Sequence, residues 1–168
     1  MFVARLFSLT DMLMSTYLFV MRKDLPITIT QEVYGRCLCL NVHRAARALA
    51  RRFDTALTPF GISHGQFSLM MSLNRPDAPR LGAAADFLAM DRTTLTANLK
   101  PLERRGLVEV RPDPDDRRSR RLYLTDAGRD LLKAAVPVWR ATHDEVDTQL
   151  ATNGKSLRAE LSRVAAAY

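Results

Sequence analysis

The sequence has few of the features that several common classes of protein require. It has two cysteines in 168 residues, Cys37 and Cys39, which lie too close together for a disulfide framework and favour a reducing compartment. The longest uncharged run near the N-terminus, residues 12–21, is too short to span a bilayer and lacks a cleavage site of the A-x-A type. Internal repeats and low-complexity tracts are also missing. We therefore expect a cytoplasmic protein with no membrane partner.

Motifs that mark common enzymes are missing as well. There is no G-x-G-x-x-G, no P-loop and no H-E-x-x-H. The histidines His43, His64 and His143 are far apart in the sequence, and each is better explained as a surface or core residue than as a catalyst. Cys39 and His43 would share one face of a helix, but two ligands per chain are too few for a metal site. The sequence therefore predicts no enzyme, no cofactor and no metal.

Positive charge is what the sequence has in excess. There are 25 lysines and arginines against 18 aspartates and glutamates, which gives a formal net charge of +7. Nearly all of these cations are arginines, whose planar guanidinium groups bind phosphate in a bidentate manner that a lysine ammonium does not allow. The composition favours a polyanionic partner, although a basic but inert surface would have the same charge.

The middle of the chain predicts two helices followed by a hairpin. A short helix near Leu81–Phe87, a tight turn and a helix from Asp91 to about Arg105 precede Gly106, a residue that commonly follows a helix. The runs "LVEVRP" and "RRLYLT" alternate like strands, and "DPDDRR" joins them with residues typical of turns. This order predicts a mainly α protein with a small β-hairpin wing, in which residues 59–125 form a winged helix-turn-helix domain.

The second of these helices carries the chemistry expected of a DNA-reading helix. Leu95, Leu99 and Leu102 fall on one stripe of this helix. The opposite face carries small and basic side chains, which is what insertion into a major groove requires. Arginines on a narrow projecting turn can enter the minor groove, where the phosphates concentrate negative potential. The candidate DNA contacts are Arg92, Thr93, Thr94, Thr96, Ala97, Asn98, Lys100 and Arg104 on the helix, and Asp116, Arg117, Arg118 and Arg120 on the hairpin.

Two other interpretations of the same segment remain. The hairpin could be a solvated turn whose aspartates neutralise its arginines. A winged helix could also bind protein rather than DNA, which a neutral or acidic exposed face on the second helix would favour; that face here carries Lys100 and Arg104. Double-stranded DNA is the partner that the sequence favours.

The segment "MDRTTLTANLKPLERRGLVEVRPDPDDRRSRRLYLTDAG" resembles the MarR family of bacterial transcription regulators. The family pattern L-E-x-x-G-L-[VI] matches Leu102–Val108, the pattern D-x-R in the wing matches Asp116 and Arg118, and the pattern L-T-x-x-G matches Leu124–Gly128. The resemblance covers about residues 34–166. It implies a winged helix-turn-helix regulator that binds a palindromic operator, usually as a repressor, with Arg118 in the minor groove and Asp116 orienting it.

The resemblance also implies a homodimer in which the N- and C-terminal helices interlock. Apolar residues spaced three and four apart predict one long helix from Tyr34 to Leu57 and further helices after residue 126. We assign residues 34–58 and 126–168 to dimerisation helices. Residues 1–33 are then an N-terminal extension, in which residues 1–20 precede a plausible start at Met21 and are expected to be dispensable.

The signal that releases such a regulator has two candidate sites. The resemblance implies a pocket for phenolic or lipophilic acids between the dimer helices and the DNA-binding lobe, although each candidate is by itself equally consistent with ordinary core. Cys37 and Cys39 offer a redox alternative, because five arginines without an intervening acid surround them and favour a thiolate. On one helix the two cysteines would point about 200° apart, so a disulfide would form between subunits. The candidate pocket residues are Arg44, Arg47, Phe67, Met70, Met71 and Trp139.

Overall fold

The computed structural model describes residues 25–116, 118–151 and 153–167. The described residues form seven helices and one antiparallel hairpin, which confirms a mainly α winged helix. The elements are α1 (Ile27–Arg36), α2 (Leu38–Leu57), a 3-10 turn (Thr58–Phe60), α3 (His64–Ser72), α4 (Leu81–Phe87), α5 (Arg92–Arg104), β1 (Val108–Pro112), β2 (Arg120–Leu124), α6 (Asp126–Thr148) and α7 (Gly154–Ala166). The predictions for residues 1–20 and for Arg117 fall outside the described residues.

The predicted long helix from Tyr34 is interrupted at Cys37, so this part of the prediction is wrong. Helix α1 already begins at Ile27, and Cys37 has an extended backbone with a ψ of 102°. The Cys37 N–H still bonds to the Val33 carbonyl oxygen, while the Cys37 sulfur accepts the N–H of Leu40 at 3.4 Å. Cys37 therefore ends one helix and caps the next, a local choice that apolar spacing cannot reveal.

Local capping groups set the bounds of the helix-turn-helix segment. Ser63 and Gln66 form a reciprocal capping box at the start of α3. Asp91 caps α5 by accepting the Thr94 N–H at 2.8 Å and the Thr94 hydroxyl at 2.6 Å. These bonds, led by the hydroxyl, hold the pKa of Asp91 below its usual value. Gly106, with a φ of +66°, ends α5 in the left-handed conformation that glycine tolerates best.

One hydrophobic core joins the helix-turn-helix segment, the hairpin and α6. The α5 stripe of Leu95, Leu99 and Leu102 is buried there, as its spacing predicts. Leu122 of β2 and Leu132 of α6 belong to the same core. Because α5 buries this stripe, its opposite face must point to solvent.

The hairpin is short and is supported on one side. Strands β1 and β2 pair antiparallel, with Val108 opposite Leu124 and Pro112 opposite Arg120. The segment before α4 adds to this sheet, because the N–H of Leu122 bonds to the Pro79 carbonyl oxygen at 3.0 Å. The wing is thus attached to the residues that lead into the helix-turn-helix motif.

Helix α6 starts immediately after the wing. Thr125 caps it by accepting the Gly128 N–H at 3.0 Å, and the Thr125 hydroxyl donates to the Gly106 carbonyl oxygen at 2.7 Å. The end of α5, the wing and α6 are therefore linked by hydrogen bonds at one point. None of the helices in the described part of the chain has the length and apolar character needed to cross a membrane.

Candidate nucleic-acid interface

The outward face of α5 carries the small and basic side chains that the sequence predicts there. Thr93, Ala97 and Lys100 are exposed and line one shallow groove with Arg92. Arg104 is exposed one turn beyond Lys100. Between Arg92 and Lys100 the groove is lined by the small side chains of Thr93, Thr96 and Ala97, so a base edge can approach the helix backbone closely.

Three other candidates on α5 make contacts within the protein. Thr94 belongs to the Asp91 cap, and the Thr96 hydroxyl donates to the Arg92 carbonyl oxygen at 2.7 Å. The Asn98 side-chain amide donates to the Thr94 carbonyl oxygen at 3.0 Å. Asn98 also lies against Gly65 of α3, where its Oδ1 is 3.5 Å from the position a Cβ would occupy. Asn98 therefore contributes to helix packing in this structure.

The tip of the wing is held by Asp116. Its carboxylate accepts the backbone N–H of Arg118 at 3.0 Å and the hydroxyl of Ser119 at 2.7 Å. The hydrogen bond from Ser119, followed by that from Arg118, keeps the pKa of Asp116 below its usual value. Through these bonds Asp116 holds the backbone at Arg118 and the side chain of Ser119, and so supports the turn from which Arg118 extends.

Beneath the wing lies a carboxylate that the sequence did not single out. Asp113 is 1% exposed, and its Oδ2 is 2.6 Å from Arg80 Nε and 3.0 Å from Arg121 Nε. Its Oδ1 accepts the backbone N–H of Asp115 at 2.9 Å. That N–H, with the Arg80 guanidinium, holds the pKa of Asp113 below its usual value. The cluster joins the segment before α4 to both strands of the hairpin, close to its tip.

The candidates on α5 and the wing meet at one cleft. Arg92, from the first turn of α5, lines it together with Arg118 and Arg120. Arg80, which was not predicted as a site residue, lines the same cleft. The basic surface is therefore continuous from the helix to the wing.

A separate apolar cavity of about 550 Å³ lies among α3, α4 and α6. Three of the predicted pocket residues line it, namely Phe67, Met71 and Trp139, and the rings of Phe67 and Trp139 stack at 5.9 Å. Its cation is Arg140, which follows Trp139 on α6. The remaining lining residues are Ser68, Ser72, Phe87, Leu88 and Val136.

The other predicted pocket residues lie elsewhere among the described residues. Met70 is fully buried in the core, because it points from α3 towards the packed interior. Arg47 is exposed on α2 and is not part of the cavity lining. Arg44 lies over the Tyr34 ring, with its guanidinium carbon 4.8 Å from the ring centroid. Arg140 of α6 is the cation among the residues that line the cavity.

Comparison with known proteins agrees with this geometry. The sequence model of the MarR family matches residues 62–119, which run from α3 to the wing. The transcriptional regulator MosR of M. tuberculosis, solved in complex with DNA, is 34% identical with a TM-score of 0.71, and the match covers 79% of this chain and 96% of that one.

Two further relatives show how varied the similar regulators are. The transcriptional repressor CouR, solved on a 23-mer DNA duplex, is 29% identical with a TM-score of 0.65, over 80% of this chain and 94% of that one. The transcriptional activatory protein BadR of Rhodopseudomonas palustris is 32% identical over 113 residues, which are 65% of this chain and 65%, just under two thirds, of BadR. With its family pattern, its winged helix and these relatives, the chain belongs to the MarR family of transcriptional regulators.

Proposed function

We propose that the protein is a homodimeric transcriptional repressor that binds a palindromic DNA duplex through α5 and the wing. The observation that carries this proposal is the continuous basic surface from Thr93 and Lys100 on α5 to Arg118 on the wing. The likeness to MosR, whose structure contains DNA, supports it.

The two parts of this surface suit the two grooves of a duplex. A helix fits the major groove, and Thr93 and Ala97 are small enough to let α5 approach the bases closely. Lys100 and Arg104, at the edge of the same face, suit the phosphates that border the groove. Arg118 projects from a turn braced by Asp116, which favours insertion into the neighbouring minor groove. Helix contacts then supply base recognition, and the wing adds affinity.

Replacing Arg118 with alanine tests the role of the wing. Its loss should weaken operator binding by about 1–3 kcal/mol, the scale of one well-placed contact. Lys100→Ala should instead weaken all duplexes about equally and lower the salt slope of log K by about one, because it removes one phosphate contact. Both quantities come from fluorescence anisotropy with a duplex selected by the purified protein.

Lys133→Ala is the control for these two variants. Lys133 is exposed on α6, outside the groove of α5 and the cleft by the wing, so its removal should change neither affinity nor the salt slope. Wild-type affinity in Arg118→Ala would contradict the minor-groove role.

Repression is the proposed direction of regulation. A dimer bound to an operator within a promoter would compete with the transcription machinery for the same DNA, and the similar protein CouR is named a transcriptional repressor. A reporter behind a bound promoter should therefore increase when the gene for this chain is deleted. A decrease would make the protein an activator, as BadR is named.

The proposed releasing signal is a small aromatic or lipophilic acid in the cavity beside Trp139. Phe67, Met71 and Trp139 provide apolar walls, and Arg140 provides the cation that would pair with a carboxylate. The cavity is bounded by α3 and α4, which belong to the helix-turn-helix segment, and by α6, which does not. A ligand that fits one arrangement of these helices better than another would shift the DNA-reading surface.

A redox sensor of the same fold is the second candidate. Cys37 is extended rather than helical, so the 200° argument against a bridge to Cys39 does not apply to it. The Cys37 sulfur also lies at the N-terminal end of α2, where it accepts the N–H of Leu40 at 3.4 Å. A hydroperoxide would oxidise the two thiols to a disulfide and would itself be reduced to water and an alcohol.

One experiment compares these two signals. DNA release is measured with a panel of aromatic acids and with mild peroxide, using wild type, Arg140→Ala, Lys133→Ala and a Cys37→Ser, Cys39→Ser double variant. Arg140→Ala should need roughly tenfold more acid for release, the scale of one charge-assisted hydrogen bond. The double variant and Lys133→Ala should respond to acid as wild type. The redox sensor would be favoured if peroxide released DNA from the wild type but not from the double variant, and if no aromatic acid released DNA from the wild type.

A further inference from the structure

A cleft of about 170 Å³ lies between the start of α4, the first turn of α5 and the wing. Arginines surround it from three parts of the fold: Arg80 before α4, Arg92 on α5, and Arg118 with Arg120 on the wing. The other lining residues are Leu81, Gly82 and Ser119, so no described residue that lines the cleft carries a carboxylate. Arginine side chains from three parts of the fold thus line one concavity, an arrangement that suits an anion.

Arg80 is held in place before any anion arrives. Its Nε lies 2.6 Å from the buried carboxylate of Asp113, and its backbone pairs with that of Arg121. About half of the Arg80 side chain remains exposed. Asp113 thus fixes the stem of Arg80 and reduces the entropy lost when the outer nitrogens bind.

We propose that this cleft clamps one backbone phosphate of the bound duplex, at the point where the strand passes from the groove read by α5 to the groove entered by the wing. The proposal rests on the DNA binding proposed above. Arg92 also lines the groove of α5, and Arg118 belongs to the wing tip, so an anion in the cleft lies between both DNA-reading elements. A phosphodiester is the anionic group that a duplex supplies at every step of that path.

The dimensions of the cleft favour a phosphate group over a small-molecule anion. Its 170 Å³ is below the roughly 300 Å³ at which pockets for drug-sized ligands begin. It is also lined mainly by arginine side chains, with Leu81 as its one large apolar residue. A metabolite would find little apolar surface to bind there, whereas a phosphate needs none.

The test replaces single phosphates of a bound duplex with uncharged methylphosphonates, one position at a time. With wild-type protein, one position in each half-site should weaken binding roughly tenfold, the scale of a hydrogen bond to a charged group. In Arg92→Gln that position should lose its effect, while methylphosphonates at the other sensitive positions keep theirs. Arg118→Gln provides a second variant on the other side of the cleft, and Lys133→Gln is the control that should leave the whole pattern unchanged.

Each result decides between the alternatives. If wild type binds no duplex, the proposed function itself fails. If wild type binds but neither arginine variant removes the effect of any single position, the clamp is overturned while DNA binding stands. Titration of DNA-free protein with inorganic phosphate completes the test, because binding at micromolar concentration would identify a free anion as the ligand and also overturn the clamp.

The role of Asp113 can be separated from that of the arginines. Asp113→Asn retains all four guanidinium groups but removes the charge that orients Arg80. We expect the same methylphosphonate position to lose part of its effect, with the other positions unchanged. A uniform loss at all positions would mean that Asp113 supports the wing as a whole and does not position Arg80 for a phosphate.

Discussion

Gly128→Ala should destabilise the protein by about 3 kcal/mol, the upper part of the usual range for forcing an extra carbon into a packed site. Gly128 is buried in the first turn of α6, and a Cβ there would lie far inside van der Waals contact of the Leu107 carbonyl oxygen. It would also lie 2.7 Å from Leu124 Cδ1. The melting temperature should fall by about 6–12 °C, because a domain of this size loses about 2–4 °C per kcal/mol.

The surroundings of Gly128 have little freedom to move away. The Leu107 carbonyl oxygen accepts the N–H of Thr125, and Leu124 is buried in the core that supports the wing. A shift of either residue would move α6 relative to the base of the hairpin. The glycine of the L-T-x-x-G pattern is therefore required for a steric reason, namely the close approach of α6 to the base of the hairpin.

Two other glycines provide matched controls. Gly106 has a φ of +66° but open space around its missing Cβ, so Gly106→Ala should cost about 1 kcal/mol from backbone strain alone. Gly35 lies in α1 with nothing within 4 Å, and alanine there should stabilise the helix by about 0.5–1 kcal/mol. Thermal denaturation followed by circular dichroism ranks the three variants. Equal melting temperatures for Gly128→Ala and Gly106→Ala would contradict the steric account.

The features that could be predicted from the sequence are those that neighbouring residues determine. Ser63, Thr125 and Gly106 mark helix ends through bonds or backbone angles within a few residues. The period of the leucines on α5 identifies its buried side, and the opposite face follows from that. Local signals of this kind sufficed for the winged helix and for the exposed face of α5.

The features that were missed depend on contacts between distant residues. Asp113 was one of three aspartates in a turn, and what distinguishes it is burial beside Arg80, a residue 33 positions earlier in the sequence. Arg140, which lines the cavity beside Trp139, was not among the predicted residues, because cavity walls depend on how helices pack. Cys37 is the exception, because the break it makes between α1 and α2 rests on local bonds of its sulfur and its N–H to residues three and four positions away. None of these choices has a signature in residue spacing.

Leu161→Glu should abolish the proposed dimer and, with it, most of the DNA affinity. Leu157, Leu161 and Val164 form one apolar stripe on α7, and they are 39%, 43% and 43% exposed in the single chain. A second copy of the chain would cover this stripe, and a carboxylate at its centre would have to be buried without a partner. Light scattering should change from twice the chain mass of 18.9 kDa to that mass itself.

The loss of affinity follows from the two half-sites of a palindrome. A dimer bound to one half-site holds its second reading surface next to the other, and such linkage raises affinity by roughly 10²–10⁴-fold without any new contact. A monomer keeps α5 and the wing intact but loses this gain. Leu161→Glu should therefore bind a duplex of two half-sites at least about 100-fold more weakly, and a single half-site about as well as wild type.

Ala159→Glu is the matched control, because residue 159 lies about 200° around α7 from residue 161 and thus on the opposite side. The two substitutions therefore add the same charge to different faces of α7. Arg158 of this helix forms a bidentate ion pair with Asp147 of α6, at 2.9 and 3.0 Å. Ala159→Glu should remain dimeric and bind the operator as wild type. If Leu161→Glu is still a dimer at micromolar concentration, the α7 stripe is not the interface; if it is a monomer that keeps full operator affinity, the protein does not read DNA through paired half-sites.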